Sequence, residues 1–286
     1  MPANASADTG RANAALRLDG GHLWGLPFVQ HFGNASSGGV SGASATVGGL
    51  VAGLESPIGG GRTIGAAVAA AHADSSLNAS GGDVYALTAY GRQDWGPITA
   101  AAYGGFARDF FNNRHDFSPL GGAVASETAG ASSFLAGGVF AYAFELGGLS
   151  VSPTATVAYT QMNLSSVGAT SGGGVQLSVP SQSFSQLQTT LGPALNRTWT
   201  ADGRTLSVRL AGGWLYNDNP YVTLDADLFG LPTPARSAPS GPNGGFAEVD
   251  FEARVSKPLN VFLAWRGEVR PQAWSNQVSA GLRYTF

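Results

Sequence analysis

Hydrophobic and polar side chains alternate along several segments of the chain, most clearly near its C-terminal end. Residues 246–256, 260–270 and 277–286 each place apolar side chains at every second position, with charged or polar side chains between them. The seven charged residues of the first two segments keep to one parity within each segment, whereas a helix would scatter them around its axis. The period of two therefore predicts β-strands that have one apolar face and one polar face.

Nine further segments bring the number of predicted strands to twelve. Softer alternation is found at 134–146, 149–160, 186–196 and 205–216, and segments rich in Gly, Ala and aromatic residues lie at 21–33, 41–54, 61–75, 81–95 and 97–112. Pro193 falls inside one of these strands, where it removes a ladder hydrogen bond, so we expect a bulge there.

The connections between the predicted strands alternate in length. Tight connections rich in Gly or Pro lie at 56–61, 96–97, 147–148, 201–203 and 257–258. The connections between them include long polar segments at 113–126, 164–180 and 218–243 and shorter ones at 34–40, 76–80 and 271–274. Short turns at one rim and long loops at the other are typical of outer-membrane barrels. An even number of strands places both chain ends at the short-turn rim.

Composition agrees with this fold and excludes others. The 286 residues include 42 Gly and no Cys, 12% are charged, 43% are hydrophobic, and the net charge is −3. The chain is too apolar for a disordered protein, cannot be a disulfide scaffold, and has no basic excess that would indicate nucleic-acid binding. The apolar segment 134–151 carries Glu145 and four Gly, so a transmembrane helix is not expected.

The sequence thus predicts an all-β protein, a 12-stranded antiparallel transmembrane β-barrel. The polar parity would face an aqueous lumen, because an Arg on the lipid face at the midplane costs about 2–4 kcal/mol, and charges facing inward can pair across strands. The predicted pore-lining charges are Arg209, Glu248, Asp250, Glu252, Arg254, Arg266, Glu268, Arg270 and Arg283. A structural ion-pair network is the alternative role for each of them.

Aromatic residues lie toward the ends of the predicted strands, where indole rings favour the headgroup level of a membrane. The predicted membrane-interface aromatics are Trp24, Trp95, Trp199 and Phe286 at the short-turn rim, with Trp214 and Trp274 toward the other rim. Trp265 lies in the middle of a strand and does not fit this girdle.

Four segments resemble the autotransporter β-domain, the translocator of type V secretion. They are 84–112, 149–159 with Pro153, 183–195 with Gly192, and the closing segment 278–286 with its terminal aromatic residue. The resemblance implies a 12-stranded barrel of residues 21–286 in the bacterial outer membrane, with Tyr90 facing inward. It also implies a short N-terminal helix or linker, residues 1–20, that lies in the pore.

The same resemblance implies partners. A passenger domain would lie in cis ahead of Met1, and the barrel would be a monomer embedded in outer-membrane lipid. The C-terminal strand would be read by the barrel-assembly machinery through Val278, Leu282, Tyr284 and Phe286, since a free strand edge can pair with a receptor strand. Within residues 1–20, Asn4 and Asn13 are isolated, so the predicted linker lacks the paired asparagines at which some members cut their passenger.

No enzyme or cofactor site is predicted. The four histidines lack the spacing of metal ligands, residues 59–65 lack the Gly-Lys-Ser/Thr ending of a phosphate loop, and no G-x-S-x-G elbow occurs. Two alternatives to a translocator remain open at this point. One is a free-standing porin or adhesin barrel, and the other is a soluble β-sandwich lectin whose alternating faces are buried between two sheets.

Overall fold

The computed structural model describes residues 21–37, 39–76, 80–116, 118, 123–170, 175–201, 204–219, 221–237 and 240–286. Residues 1–20, for which a pore helix or linker is predicted, lie outside this part of the chain. Within the described residues, no helix has the length and apolarity needed to cross a membrane.

Twelve long strands form one closed wall. In chain order they are β1 (His22–Asn34), β2 (Ala43–Gly59), β3 (Arg62–Ser75), β4 (Gly81–Trp95), β5 (Ile98–Asp116), β6 (Val124–Tyr142), β7 (Leu149–Leu164), β8 (Gln182–Ala201), β9 (Arg204–Asn217), β10 (Asn243–Arg254), β11 (Leu259–Arg270) and β12 (Ala273–Thr285). Each strand pairs antiparallel with its neighbours in sequence, and β12 pairs with β1 to close the sheet. The predicted 12-stranded antiparallel barrel is confirmed.

The short-turn rim is built largely by glycines with positive φ. Gly60 and Gly61 join β2 to β3, Gly96 joins β4 to β5, and Gly147 with Gly148 follows β6. All adopt the left-handed backbone that a tight turn needs and that a Cβ atom disfavours. β1 begins and β12 ends at this rim, where the amide of Phe286 donates to the carbonyl of Gly21 at 3.1 Å.

Two strand predictions need correction. β6 covers 124–142 rather than 134–146, and Phe144–Leu146 is a separate short strand that pairs only with the start of β7. The bulge expected at Pro193 is also wrong, because the register with β7 runs unbroken past Pro193, which lies opposite Pro153. Glycines 192 and 213 let the backbones of β8 and β9 approach closely at this point, since an added Cβ at either would collide with the other strand.

The wall is taller on one side. β5 and β6 have 19 residues each, whereas β10 and β11 have 12. The pairing of β6 with β7 stops at Ala131 and Leu164, so the first residues of β6 rise above their neighbour on the long-loop side.

A small sheet made from the β7–β8 and β9–β10 loops has strands 167–170, 176–179, 227–228 and 231–232. A small apolar cluster that includes Ala125 of β6 and Val175 of the β7–β8 loop joins this loop sheet to the raised part of β6.

Candidate functional site

The two faces of the wall differ sharply in exposure and polarity. Phe251, Leu282 and Tyr284 are 43%, 54% and 48% exposed, whereas Asp250 is 9% exposed. The same division holds along most of the strands: most large apolar side chains point outward and most charged side chains point into the barrel. A soluble sandwich would bury the apolar face beneath a second layer, so the lectin alternative is wrong.

One part of the interior is a wall of ion pairs carried by β9, β10 and β11. Arg209 donates to Glu248 and, at 2.8 Å, to Asp250 Oδ2. Arg266 joins Glu248 Oε2 at 3.1 Å to Glu268 Oε1 at 3.0 Å. These contacts follow from the register, which places Arg209 opposite Asp250 and Glu248 opposite Arg266. We call β9–β11 the ion-paired wall; Arg270, whose Nη2 lies 3.6 Å from Glu268 Oε2, belongs to it.

A second set of contacts joins strands that are not neighbours, closer to the short-turn rim. Trp24 Nε1 donates to the hydroxyl of Tyr90 at 3.0 Å, and this hydroxyl donates to Glu55 Oε2 at 3.2 Å. Arg283 lies between Glu55, with Nε 3.8 Å from Oε1, and Glu252, to which Nη1 donates at 3.0 Å. This crossing network ties β1, β2 and β4 to β10 and β12 through side chains alone.

The crossing network includes residues that the sequence predictions missed. Glu55 is buried inside the barrel, and it follows the outward-facing Leu54 as the single charged residue of β2. Arg92 and Asp94 also share the inner face, with Nη2 2.9 Å from Oδ1, and Thr99 donates to the same carboxylate at 2.6 Å. The signal for this pair was available, because residues two apart on a strand point the same way.

The part of the interior next to the ion-paired wall, across the pairing of β8 with β9, is uncharged. No charged residue occurs anywhere in β7, and the only charged residue of β8 is Arg197, which is exposed and lies over the ring of Trp199. The inward positions of β7 carry small or hydroxyl side chains such as Thr154, Thr156 and Thr160. We call the inner faces of β7, β8 and the part of β6 paired to β7 the uncharged wall.

A cavity of about 560 Å³ is lined by both walls. Its lining includes Thr156 and Ala158 of the uncharged wall, Arg209 and Glu248 of the ion-paired wall, and Gln277 of β12. The β9–β10 loop closes part of its outer end, where Tyr221, Val222 and Thr223 line the cavity.

The β9–β10 loop is held in place by polar and aromatic contacts. The guanidinium of Arg236 lies 3.3 Å from the ring centre of Tyr221. Asn219 Nδ2 donates to the carbonyl of Ser185 at 2.5 Å, and the amide of Val222 donates to the hydroxyl of Ser237 at 2.9 Å. The mouth of the lumen is therefore narrowed by a folded loop.

The predicted interface aromatics fall into two groups. Trp95, Trp199, Trp214, Trp274 and Phe286 are exposed on the outside of the barrel. Trp24 is not, and its assignment to the outer girdle is wrong, because its indole nitrogen is bound to Tyr90 within the lumen. Its strand carries apolar side chains on both faces, so periodicity alone did not indicate the direction.

The remaining predicted positions lie where the alternation placed them. Arg254 is on the inward parity of β10, half-buried. Val278, Leu282 and Tyr284 are exposed along the outer face of β12, next to Phe286 at the chain end. Among the described residues, no group of three or more His, Asp or Glu side chains is arranged to hold a metal ion.

Comparison with known proteins places this geometry among secretion barrels. Residues 23–266 match the family model described as the autotransporter beta-domain. A comparison with curated proteins found no match.

Solved structures share the fold at low sequence identity. The translocator domain of autotransporter NalP from Neisseria meningitidis has a TM-score of 0.74 at 14% identity, covering 100% of both chains. The β-domain of the Bordetella autotransporter BrkA has a TM-score of 0.70 at 16% identity, over 94% of this chain and 100% of that one. The transport unit of the autotransporter AIDA-I from Escherichia coli has a TM-score of 0.63 at 12% identity, over 100% of this chain and 93% of that one.

Proposed function

Because the chain belongs to the autotransporter β-domain family, we propose that it is an outer-membrane translocator domain that exports an N-terminal passenger and anchors it. The observation that carries the proposal is the opposed polarity of the two faces of one closed wall. Lipid requires the apolar outer face, and a hydrated, ion-paired interior can accommodate a polar polypeptide.

The position of the chain ends supports a route through the lumen. β1 starts at the short-turn rim beside the end of β12, where His22 Nδ1 lies 3.0 Å from Thr285 Oγ1. A passenger ahead of Met1 therefore joins the barrel at the short-turn, periplasmic rim, and has to pass through the lumen to reach the long-loop rim. After export, residues 1–20 would remain in the lumen as a linker and keep the passenger attached.

Anchoring and assembly are assigned to the outer face and the closing strand. The outward residues of β12 end in Phe286, 72% exposed at the rim. We propose that the barrel-assembly machinery recognises this strand before β12 pairs with β1, since an unpaired edge with alternate apolar side chains suits strand addition. The finished barrel would act as a monomer, without a cofactor or a catalytic role.

Surface display of a reporter tests the function. A reporter polypeptide fused in frame ahead of Met1 should become accessible to added protease on intact cells. The control is the same fusion without residues 273–286, which cannot close the sheet and should leave the reporter inside. If the complete barrel folds, as judged by faster gel migration before heating, but the reporter stays in the periplasm, the free-standing porin or adhesin alternative is favoured instead.

A further inference from the structure

The interior of the barrel offers two different surfaces to anything that passes through it. Facing the cavity, β9–β11 present Arg and carboxylate groups, whereas β7 and β8 present Thr, Ser, Gln and small side chains. The part of β6 that pairs with β7, from Ala131 to Ala141, also has no charged residue. The uncharged wall thus extends over three consecutive strands.

The charges of the ion-paired wall that line the cavity are engaged with one another. Glu248 is shared by Arg209 and Arg266, and Arg266 also binds Glu268. The Arg209, Glu248 and Glu268 side chains are at most 17% exposed, so they lie along the wall rather than extending into the lumen. A passing chain that bound them would have to displace existing partners.

The physical requirement for transit of a polypeptide favours the uncharged wall. A chain that moves through a channel must meet many weak sites rather than a few strong ones, or it stops at the strongest. An ion pair in a narrow, partly dehydrated channel is stronger than one in bulk water. Hydroxyl and amide side chains instead exchange hydrogen bonds with water at little net cost.

We propose that the exported polypeptide, in extended form, travels along the uncharged wall of β6–β8, and that the ion-paired wall takes no part in transit. This inference rests on the proposed function and specifies which surface of the lumen serves it. The partner is an unfolded passenger segment of mixed sequence, since a wall without charge does not select a sign of charge.

Site-specific photo-crosslinking tests the path. A photoreactive amino acid replaces either Thr156 on the uncharged wall or Gln277 on β12, which pairs with Arg266 at the edge of the ion-paired wall. Both positions line the same cavity and lie near the middle of their strands. The complete chain carries a disulfide-locked reporter domain ahead of Met1, which stalls with its linker in the lumen. We expect several-fold more crosslinked product from position 156 than from position 277.

The outcomes separate this inference from the proposed function. Equal products, or more from position 277, would overturn the path while leaving translocation intact. If neither position crosslinks although the reporter reaches the cell surface without the lock, the passenger does not use this lumen; the inferred path then fails, whereas export of the passenger stands.

Substitutions test the role of charge. Thr156→Arg should reduce surface display of the unlocked reporter several-fold, whereas Thr156→Met, which has similar bulk but no charge, should retain it. Gln277→Arg adds the same charge at the edge of the ion-paired wall and should display normally. Faster gel migration before heating shows that each variant has folded. Equal loss in Thr156→Met, or no loss in Thr156→Arg, would contradict the proposal.

Discussion

At the scale of single residues, the main feature of the interior is a row of like charges on one strand. Glu248, Asp250 and Glu252 alternate along β10 and all point inward, so three carboxylates lie on one face. Arg209, Arg266 and Arg283 reach this row from β9, β11 and β12 and neutralise it. The arginines are therefore structural partners of the row, and removing one leaves like charges close together.

Replacing Arg209 tests this role. Arg209→Gln should lower the free energy of unfolding by about 1–3 kcal/mol, because Glu248 and Asp250 lose a shared partner in a partly dehydrated lumen. Urea unfolding in detergent micelles, followed by tryptophan fluorescence, measures the change. Arg62→Gln at a short turn is the control, since the exposed Arg62 donates to the side chain of Gln93, and it should change stability by less than about 0.5 kcal/mol. Equal effects would contradict the role of Arg209.

The Tyr90 hydroxyl is the link between Trp24 and Glu55. Tyr90→Phe should cost about 1–3 kcal/mol, because the indole N–H and the carboxylate each lose a partner inside the barrel. Tyr85→Phe, on the exposed outer face of the same strand, is the matched control and should be close to neutral. The same urea titration distinguishes them, and a neutral Tyr90→Phe would show that water replaces the hydroxyl.

At the scale of strands, the cost of a charge depends on its depth in the membrane. Leu210 lies near the middle of β9 and Leu206 near its short-turn end, and both are exposed outward. In lipid bilayers, Leu210→Arg should destabilise the barrel by about 2–4 kcal/mol and Leu206→Arg by about 0–1 kcal/mol. Folding titrations in vesicles measure both, and equal costs would indicate that this face is not in contact with lipid.

Strands also fit together through pairs of a glycine and a large ring. A Cβ atom at Gly65 of β3 would overlap the ring of Tyr90 on β4. Gly65→Val should therefore destabilise the barrel by about 1–3 kcal/mol through overpacking. Gly91→Val on β4 is the control, because an added Cβ there meets only the carbonyl of Thr63, at 3.9 Å.

A double variant shows whether the collision is the cause. In Gly65→Val/Tyr90→Ala the valine has room, so the double variant should be no less stable than Tyr90→Ala alone. A loss that persists in the double variant would mean that the valine acts on the backbone of β3 instead.

The sequence predicted most accurately the strands that have lipid on one face and water on the other. The alternation placed β10, β11 and β12 within a few residues because charged and apolar side chains there hold opposite parities. It failed at the start of β6, where VASETAGASS has little apolar contrast and the strand is held by backbone pairing with β5.

The sequence predicted which charged residues line the interior, but not which of them contact one another. Parity predicted that Arg209, Glu248, Asp250 and Arg266 face inward, whereas the register that brings Arg209 to Asp250 and Glu248 to Arg266 came from the structure. The contact between Trp24 and Tyr90 joins β1 to β4, and such a contact depends on barrel curvature and side-chain length, which periodicity does not contain. For the same reason the uncharged wall appeared only once the strands were arranged around a common lumen.

At the scale of the whole molecule, the lumen and residues 1–20 act together in the proposed function. A chain that begins at Gly21 should show larger and steadier single-channel conductance in planar bilayers than the full chain, because the linker would no longer occupy the cavity. Gel migration before heating confirms that both forms are folded. Identical conductance would place residues 1–20 outside the lumen.

The uneven height of the barrel wall has a consequence for the cell that carries it. The raised part of β6 and the loop sheet, with Phe229 and Leu231 exposed near its tip, reach furthest from the membrane, whereas the turn between β11 and β12 contains only Pro271 and Gln272. Antibodies and bacteriophages approaching the living bacterium would meet the taller side first. An immune response to this domain should therefore be directed mainly at the 165–181 and 218–242 loops, and sequence drift under immune pressure should concentrate there.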